Sequence, residues 1–254
     1  MNKIVFFTKD TIQRLFRFFN YKICKIGPYS SFDFESFLYR YLAVHKKIHF
    51  IQIGANDGVM NDPLYQFNIK NKSVVSGYVL EPLPDIFEKL SQNYKKMPNI
   101  SPVNLAIHAD KAEMTLYRVK PHLLSKIPVF AEGIASFDKN HWKKTNIIPN
   151  NDYIEEVLVT CIPIQTFIDL NKIQVLDLLV LDTEGYDYQI LMDFNFNRIK
   201  PKIIRFEHGL RNGIMDKDNF IKLCKYLNLF GYQIYLESYD ATAYLLDPLD
   251  TIFD

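Results

Sequence analysis

The sequence predicts an α/β fold in which a mostly parallel sheet carries helices on both faces. From Ile48 onward, short apolar strands alternate with amphipathic helices, an order typical of parallel strands joined by right-handed crossovers. The segment Leu176–Leu181 is almost continuously apolar, as expected of a strand that is buried on both faces. With 254 residues, 48% of them hydrophobic, the chain can build one large α/β domain.

Charge and cysteine content exclude several classes of protein. A net charge of +1 provides no global attraction for nucleic acid, so no nucleic-acid partner is predicted. Cys24, Cys161 and Cys224 lie far apart without a CxxC pair, which argues against a disulfide framework or a zinc site and favours a reducing compartment. No apolar run reaches the ~18 residues of a transmembrane helix, and the run Ile4–Phe7 is too short for a signal peptide. We therefore expect a cytoplasmic protein.

Residues 1–46 differ in character from the predicted domain, residues 47–254. Six basic residues and one acid lie between Met1 and Ser30, and apolar residues recur there at helical spacing. A second short helix is predicted over Phe32–Val44. This extension is interpreted either as a helical lid on the domain, which the aromatic stripe favours, or as a basic amphipathic surface for peripheral contact with the inner face of an anionic membrane.

Prolines mark two helix starts in the first half of the domain, because the missing N–H of proline would be unpaired in a first turn anyway. The elements predicted up to residue 151 are the strand Ile48–Ile53, the helix Pro63–Asn71, the strand Gly77–Leu80, the helix Pro84–Lys95 and the strands Val103–Ile107 and Met114–Val119. The remainder of this half is predicted to be irregular, with a short helix near Phe137–Lys144.

The second half repeats the strand–helix order and ends in an antiparallel pair. Its predicted elements are the strand Val157–Ile162, the helix Ile164–Asn171, the strand Leu176–Leu181, the helix Gly185–Phe194, the strand Ile203–Phe206, the helix Asn219–Phe230 and the strands Tyr232–Glu237 and Thr242–Leu246. Gly231 closes the last helix, since glycine adopts the left-handed backbone that ends helices. The last two strands alternate across a short turn, which is typical of an antiparallel hairpin.

Polar residues or glycines follow the parallel strands where each strand ends. They are Gly54-Ala55-Asn56-Asp57-Gly58, Glu81, Asn104–Ala106, Asp182 and Glu207-His208. In an open parallel sheet ligands bind at the carboxyl ends of the strands, and chance would place such residues at only one or two of these ends. The sequence therefore predicts a ligand site at this edge.

The glycine loop and Glu81 together indicate an adenosine-containing ligand. Gly54 and Gly58 let backbone N–H groups approach a ligand closely, and an acid at the end of the next strand can accept hydrogen bonds from both ribose hydroxyls. These features alone leave NAD and S-adenosylmethionine open. A dinucleotide site prefers G-x-G-x-x-G, and Asn56 occupies the middle glycine position, which weakens the dinucleotide interpretation.

The sequence resembles the FkbM-type methyltransferases from about Phe50 to Leu210. The resemblance rests on ordered blocks at compatible spacings: Gln52–Gly58, Val79–Pro84, Thr166–Asp169, Leu181–Gly185 and Arg205–His208. It implies the Rossmann-like class I methyltransferase fold, a mostly parallel seven-stranded sheet with an antiparallel last strand. It also implies S-adenosylmethionine as cofactor and O-methylation of hydroxyls on sugars or polyketide-like products.

The resemblance also assigns cofactor-binding roles by position. The glycine loop, Gly54 to Gly58 with Ala55, Asn56 and Asp57, would line the cofactor; Glu81 with Pro82 would bind the ribose, and Asn104 to Ala106 would flank the adenine. Gln52 stands where many relatives have an acid. A glutamine can hydrogen-bond near the methionine ammonium of the cofactor, but it lacks the opposing charge.

Transfer to a hydroxyl benefits from a base, because an alcohol is a poor nucleophile at neutral pH. Asp182 and Glu184 follow one strand, and Glu207 and His208 follow the next. His208 is predicted to be the base, since free histidine titrates near neutrality, and Asp182 to orient it or hold the acceptor. Alternatives are a histidine that pairs with loop backbone, an acid at Glu184 that favours a helix start, and, less favoured, a divalent cation on Asp182, Glu207 and His208.

Two other functions compete with O-methylation of a sugar or glycan hydroxyl. A nicotinamide-dependent oxidoreductase could use a similar sheet, although Asn56 in the glycine loop disfavours it. A catalytically silent adapter would keep the fold and bind a partner or membrane through residues 1–30. The sequence does not indicate which acceptor is methylated or what the oligomeric state is.

Overall fold

The structure, a computed structural model, describes residues 32–245 apart from 129–130, 132 and 146–147. The predicted basic helix of residues 1–30 lies outside the described residues, so its membrane contact stays a prediction. In the part of the chain that is described, no helix is long and apolar enough to cross a membrane.

The chain alternates strands and helices in nearly the predicted order. The elements are α1 (Phe34–His45), β1 (Ile48–Ile53), α2 (Tyr65–Lys70), β2 (Val75–Leu80), α3 (Pro84–Tyr94), β3 (Ile100–Val103), β4 (Ala106–Ile107), β5 (Glu113–Val119), β6 (Ala135–Ser136), α4 (His141–Thr145), β7 (Ile154–Ile162), α5 (Ile164–Leu170), β8 (Leu178–Leu181), α6 (Asp187–Asp193), β9 (Ile203–Glu207), α7 (Lys217–Leu229), β10 (Gln233–Leu236) and β11 (Asp240–Tyr244).

Seven of the described strands form one sheet in the order β3-β2-β1-β8-β9-β11-β10. Strands β3, β2, β1, β8 and β9 are parallel, and β11 runs antiparallel to both β9 and β10. From β1 the chain adds β2 and β3 on one side, and β8 and β9 follow on the other side. Strands β1 and β8 therefore lie side by side at the centre, where the strand order reverses. This arrangement confirms the predicted Rossmann-like class I fold, and it puts the reversal point, where ligands bind in such sheets, between β1 and β8.

The two central strands are buried on both faces, as their apolar sequences predict. Ile51 and Leu179 pack with α5, α6 and α7 in one apolar cluster. Phe50 and Val180, which point to the opposite face, are equally buried. Burial on both faces removes apolar side chains from water, which stabilises the fold by ~25 cal/mol per Å².

One predicted strand, Val103–Ile107, is divided between two sheets. Asn104 interrupts it: its side-chain amide donates to the carbonyl oxygens of Glu81 at 2.8 Å and Pro82 at 2.9 Å, which turns the chain out of the main sheet. Strand β4 then pairs with β7 in a second sheet, of order β4-β7-β5-β6 among the described residues. The segment predicted to be irregular therefore contributes β6 to this smaller sheet.

Aspartate side chains hold the backbone where two helices begin. Asp62 accepts hydrogen bonds from the backbone N–H groups of Leu64, the residue before α2, and of Tyr65, its first residue, and α2 starts at Tyr65 rather than at the predicted Pro63. Asp216 accepts from the backbone of the first turn of α7 in the same way, which starts that helix two residues before the predicted Asn219.

Helix α1 is attached to the amino-terminal edge of the sheet through Asp177. The hydroxyl of Tyr41 donates to Oδ1 of Asp177 at 2.8 Å, and the backbone N–H of His49 donates to Oδ2 at 2.7 Å. Asp177 directly precedes β8, and His49 lies at the start of β1. One carboxylate thus joins the helix to both central strands, on the side opposite their carboxyl ends.

Removing the Tyr41 hydroxyl tests this attachment. Tyr41→Phe leaves one oxygen of a part-buried carboxylate without its donor, so we expect the free energy of unfolding to fall by about 1–2 kcal/mol, roughly 2–8 °C in Tm for a domain of this size. Thermal denaturation followed by circular dichroism measures it. Tyr39→Phe is the matched control, because no described residue hydrogen-bonds the Tyr39 hydroxyl, and equal losses in both variants would contradict the assignment.

Candidate active site

A cleft of about 890 Å³, counted to its open mouth, lies at the carboxyl ends of the central strands. The loop after β1, the ends of β2 and β8 and the β5–β6 region of the smaller sheet form its walls. The lining includes Gln52, Gly54, Ala55, Asn56, Asp62, Glu81, Pro82, Leu105, Ala106, Gly133, Ile134, Phe137, Asp182 and Glu184.

Gly54 allows the loop after β1 to touch the end of β8. Its φ is +81°, and a Cβ at this position would overlap the carbonyl oxygen of Asp182, well inside the 3.0 Å that Cβ atoms respect. The N–H groups of Gly54 and Ala55 both donate to the carbonyl of Leu80, at 3.0 and 2.9 Å. The loop is therefore held by both neighbouring strands, and only glycine provides the space.

Glu81 is the buried carboxylate that faces this loop. Its side chain accepts from the backbone N–H of Asn56 at 3.0 Å on one oxygen and from that of Leu83 at 2.9 Å on the other. Only 6% of the residue is exposed, and burial raises the pKa of Glu81 to about 7. Each carboxylate oxygen can accept more than one hydrogen bond, so Glu81 keeps acceptor capacity for ligand hydroxyls in the cleft.

Three of the predicted cofactor residues do not line the cleft but contribute to backbone turns or to packing beside it. The carboxylate of Asp57 accepts from the backbone N–H groups of Val59 and Met60, both at 2.8 Å. Gly58 packs against side chains of α3, and Asn104 holds the turn described above. The other predicted cofactor residues, Gln52, Gly54, Ala55, Asn56, Glu81, Pro82, Ala106 and Asp182, all line the cleft.

An acidic group closes the cleft at the ends of β8 and β9. Asp182 and Glu184 line the cleft, whereas Glu207 does not. Burial, and then the neighbouring carboxylates, raise the pKa of Asp182 and bring that of Glu207 to about 10. Asp187 connects the two strand ends: it accepts from the backbone of Thr183 at 2.9 Å and of Glu207 at 2.8 Å. Sequence reasoning did not identify this connecting role.

The structure does not bring His208 to the cleft. Its ring Nδ1 accepts from the backbone N–H of Leu210 at 3.2 Å, and its Nε2 lies 3.3 Å from the carbonyl oxygen of Glu237. Burial lowers the pKa of His208, and the ring packs beside Phe220. This is the geometry of the alternative interpretation, a neutral histidine that pairs with loop backbone.

A second, more open cavity of about 1520 Å³ adjoins the cleft and shares Phe137 and Glu184 with it. His141 lines this cavity, and its Nε2 lies 3.3 Å from Oε2 of Glu184. The hydroxyl of Ser136 donates to the carbonyl of Glu184 at 2.8 Å. The cavity is lined further by Asp138, Lys144, Tyr186, Tyr188, Gln189, Leu210, Met215, Lys217 and Asn219.

Sequence reasoning missed Asp62 in the cleft and did not place His141 beside Glu184. An aspartate before a proline indicates a helix start, which describes the turn that Asp62 holds before α2 but not its contact with Gln52. His141 belongs to the segment predicted to be irregular, where no periodic pattern indicated its neighbours. In the described part of the chain, no group of three or more His, Cys, Asp or Glu side chains is arranged to hold a metal ion.

Comparisons with known proteins identify a family. The FkbM methyltransferase domain model matches residues 52–234. Similar solved structures include precorrin-6y C5,15-methyltransferase from Geobacter metallireducens (12% identity, 83% of this chain and 86% of that one, TM-score 0.42) and the ribosomal protein L11 methylase from Lactobacillus delbrueckii (10%, 82% and 74%, TM-score 0.38). The fibrillarin pre-rRNA processing protein from Methanococcus jannaschii has 12% identity (80% and 68%, TM-score 0.39). No curated protein matches the chain.

Substitutions at two glycines with similar backbone angles distinguish the cost of steric crowding from the cost of a left-handed backbone. Gly54 and Gly213 have φ of +81° and +67°, but a Cβ on Gly213 would meet nothing within 4 Å. We expect Gly213→Ala to lower the free energy of unfolding by about 1–2 kcal/mol, the cost of left-handed backbone in alanine. Gly54→Ala should lose about 3 kcal/mol or more, because overlap is added to that cost. Urea denaturation measures both values. Similar losses of stability in the two variants would show that the backbone at the end of β8 can shift to accommodate a Cβ at position 54.

Proposed function

Because the chain belongs to the FkbM methyltransferase family, we propose that it uses S-adenosylmethionine to methylate a hydroxyl group, of a sugar or glycan, at the cleft between β1, β2 and β8. The observation that carries the proposal is the buried carboxylate of Glu81 beside the glycine loop. A carboxylate in this position can accept from both hydroxyls of a ribose.

The lining of the cleft suits such a cofactor. Pro82, Leu105, Ala106 and Phe137 give an apolar section next to Glu81, suited to an adenine ring. Gly133 lies so close to the side chain of Asn56 that a Cβ on Gly133 would overlap it. At this point the wall of the cleft is therefore formed by the backbone of Gly133. Bound in this cleft, S-adenosylmethionine would supply an already activated methyl group, so the protein's task is alignment of the acceptor.

The adjoining cavity is the proposed place for the acceptor, since it meets the cleft at Glu184 and Phe137. Its lining mixes the aromatic rings of Tyr186 and Tyr188 with amide and charged side chains. Flat apolar rings and hydrogen-bonding groups together suit a polyhydroxylated ligand, which has both apolar C–H faces and hydroxyls. This composition supports a sugar acceptor.

Glu184 is the proposed proton acceptor for the hydroxyl. Among the predicted catalytic residues, it is the one that lines both cavities. Its φ of +52° is unusual for a residue other than glycine, and such strain is concentrated at functional sites. His141 is 1% exposed, and its Nε2 lies 3.3 Å from Oε2 of Glu184 without hydrogen-bond geometry, so it lies beside that carboxylate as a polar neighbour.

Binding of 5′-methylthioadenosine, which carries the adenosine part of the cofactor alone, tests the role of Glu81. Hydroxyls donate to the ionised carboxylate, and Glu81 ionises as the pH rises through its pKa of about 7. Affinity should therefore rise about tenfold from pH 6 to pH 8. Glu81→Gln should bind at least about 50-fold more weakly, without this pH dependence, because charge-assisted hydrogen bonds are lost. Calorimetric titration measures both effects.

Calorimetry also separates the proposed function from its main competitor. The wild-type protein should bind S-adenosylmethionine and give no heat with NAD. Binding of NAD in place of S-adenosylmethionine would refute the proposal, and an affinity for methylthioadenosine that does not change with pH would show that Glu81 does not hold the ribose.

Transfer of a radiolabelled methyl group to a panel of methyl glycosides tests the acceptor class and the base together. Product label should survive alkali, because ethers resist alkaline hydrolysis that cleaves methyl esters. Glu184→Gln should lower kcat about 100-fold or more through loss of the base while the Kd for S-adenosylmethionine changes less than about twofold. His208→Gln, at a histidine outside both cavities, is the comparison variant. Alkali-labile label, or a larger loss of kcat in His208→Gln, would contradict these assignments.

A further inference from the structure

Gln52 and Asp62 form a hydrogen-bonded pair in the wall of the cleft. Nε2 of Gln52 donates to Oδ2 of Asp62 at 2.6 Å. Gln52 is only 2% exposed, and its other polar atom, Oε1, has no hydrogen-bond partner among the described residues. An unpaired buried polar atom costs ~1–3 kcal/mol. Because Gln52 lines the cleft, this oxygen marks a position where a ligand donor would be stabilised.

Helix α2 holds Asp62 in place. Its Oδ1 accepts from the backbone N–H groups of Leu64 at 2.7 Å and Tyr65 at 2.6 Å, in the turn that leads into that helix. The second oxygen, Oδ2, is the one that meets Gln52. The carboxylate is therefore fixed by three donors on rigid elements and presents one oxygen beside the unpaired atom of Gln52.

Asp62 is partly buried, and other carboxylates lie near it. Burial raises the pKa of Asp62 to about 6; the hydrogen bonds that its carboxylate accepts oppose this rise, and the nearby carboxylate of Asp57 adds to it. Asp62 in turn contributes to the raised pKa of Asp182 on the other side of the loop. Buried carboxylates are normally paired with a cation. The charges that act most strongly on this pair are themselves carboxylates, so a cationic ligand group would be favoured here.

We propose that Asp62 is the counter-ion for the ammonium group of the cofactor's methionine part, and that Oε1 of Gln52 accepts a second hydrogen bond from the same ammonium. This assignment rests on the function proposed above. It also supplies the negative charge that the amide of Gln52 lacks: the charge comes from Asp62, which that amide contacts.

Three ligands distinguish this role from a structural one. S-adenosylmethionine and S-adenosylhomocysteine contain the ammonium, whereas 5′-methylthioadenosine lacks it. Asp62→Asn keeps an oxygen for the backbone N–H groups of Leu64 and Tyr65 and removes the charge. Calorimetric titration should show both ammonium-containing ligands binding about 30-fold more weakly, the loss expected when one member of a buried charge pair is removed. The affinity for methylthioadenosine should change by less than about twofold.

Moving the charge back to strand β1 provides the second test. In Gln52→Glu/Asp62→Asn the acid stands at the motif position, and the affinity for S-adenosylmethionine should return to within about threefold of wild type. Asp57→Asn is the matched control: Asp57 also caps backbone in this loop but does not line the cleft, so it should change the affinities of all three ligands by the same factor.

Each contrary result has a distinct meaning. A loss of methylthioadenosine binding in Asp62→Asn equal to that of the other ligands would assign Asp62 to loop structure and overturn the proposal. Unchanged affinity for S-adenosylmethionine in Asp62→Asn, or no recovery in the double variant, would overturn it as well. If the wild-type protein bound none of the three ligands, the proposed function itself would fail.

Discussion

The close approach of Gly54 to the carbonyl of Asp182 is the constraint on which the site depends. Parallel strands β1 and β8 lie side by side at the reversal point of the sheet, and the loop after β1 must leave the sheet without a side chain in the way. Because Gly54 provides that space, the same loop reaches Glu81 through the backbone of Asn56. The cleft floor is thus made by backbone atoms of three adjacent strand ends, and its side walls carry the chemistry.

The carboxylates that are buried in and behind the walls of the cleft lower the free energy of unfolding of the ligand-free protein. Burial raises the pKa values of Asp62 and Asp187 to about 6 and of Glu81 to about 7. A carboxyl with a raised pKa binds its proton more tightly in the folded than in the unfolded chain. The free energy of unfolding therefore falls as the pH rises from the unfolded value, near 4, through these pKa values. A ligand that brings cationic groups and hydroxyl donors would offset this cost, which couples cofactor binding to stability.

The sequence predicted the parts of the site that follow from topology. Once the strands are in parallel order, Gly54, Glu81 and Asp182 must meet at one edge, because each directly follows a strand. The contacts of Asp62 and His141 could not be predicted in this way: Asp62 follows a loop of variable course, and His141 begins a short helix that follows strand β6 of the small sheet, whose strands pair across long stretches of chain. His208 shows the opposite case, since its position after β9 was correct while its ring turns to backbone groups of Leu210 and Glu237.

Glu184 joins the two sheets at the point where the two cavities meet. Its left-handed backbone, followed by Gly185 at φ +106°, makes a sharp turn between β8 and α6 and so exposes the side chain at the cavity boundary. The hydroxyl of Ser136, from strand β6 of the smaller sheet, holds the carbonyl of Glu184, and His141 of α4 faces its carboxylate. A strained residue persists only where its surroundings hold it. The small sheet thus does two things: it lines the second cavity and it maintains the conformation of Glu184. Changes in β6 or α4 that alter this cavity will therefore also alter the position of Glu184, so that, under the function proposed above, the choice of acceptor and the proton transfer would depend on the same segment of chain.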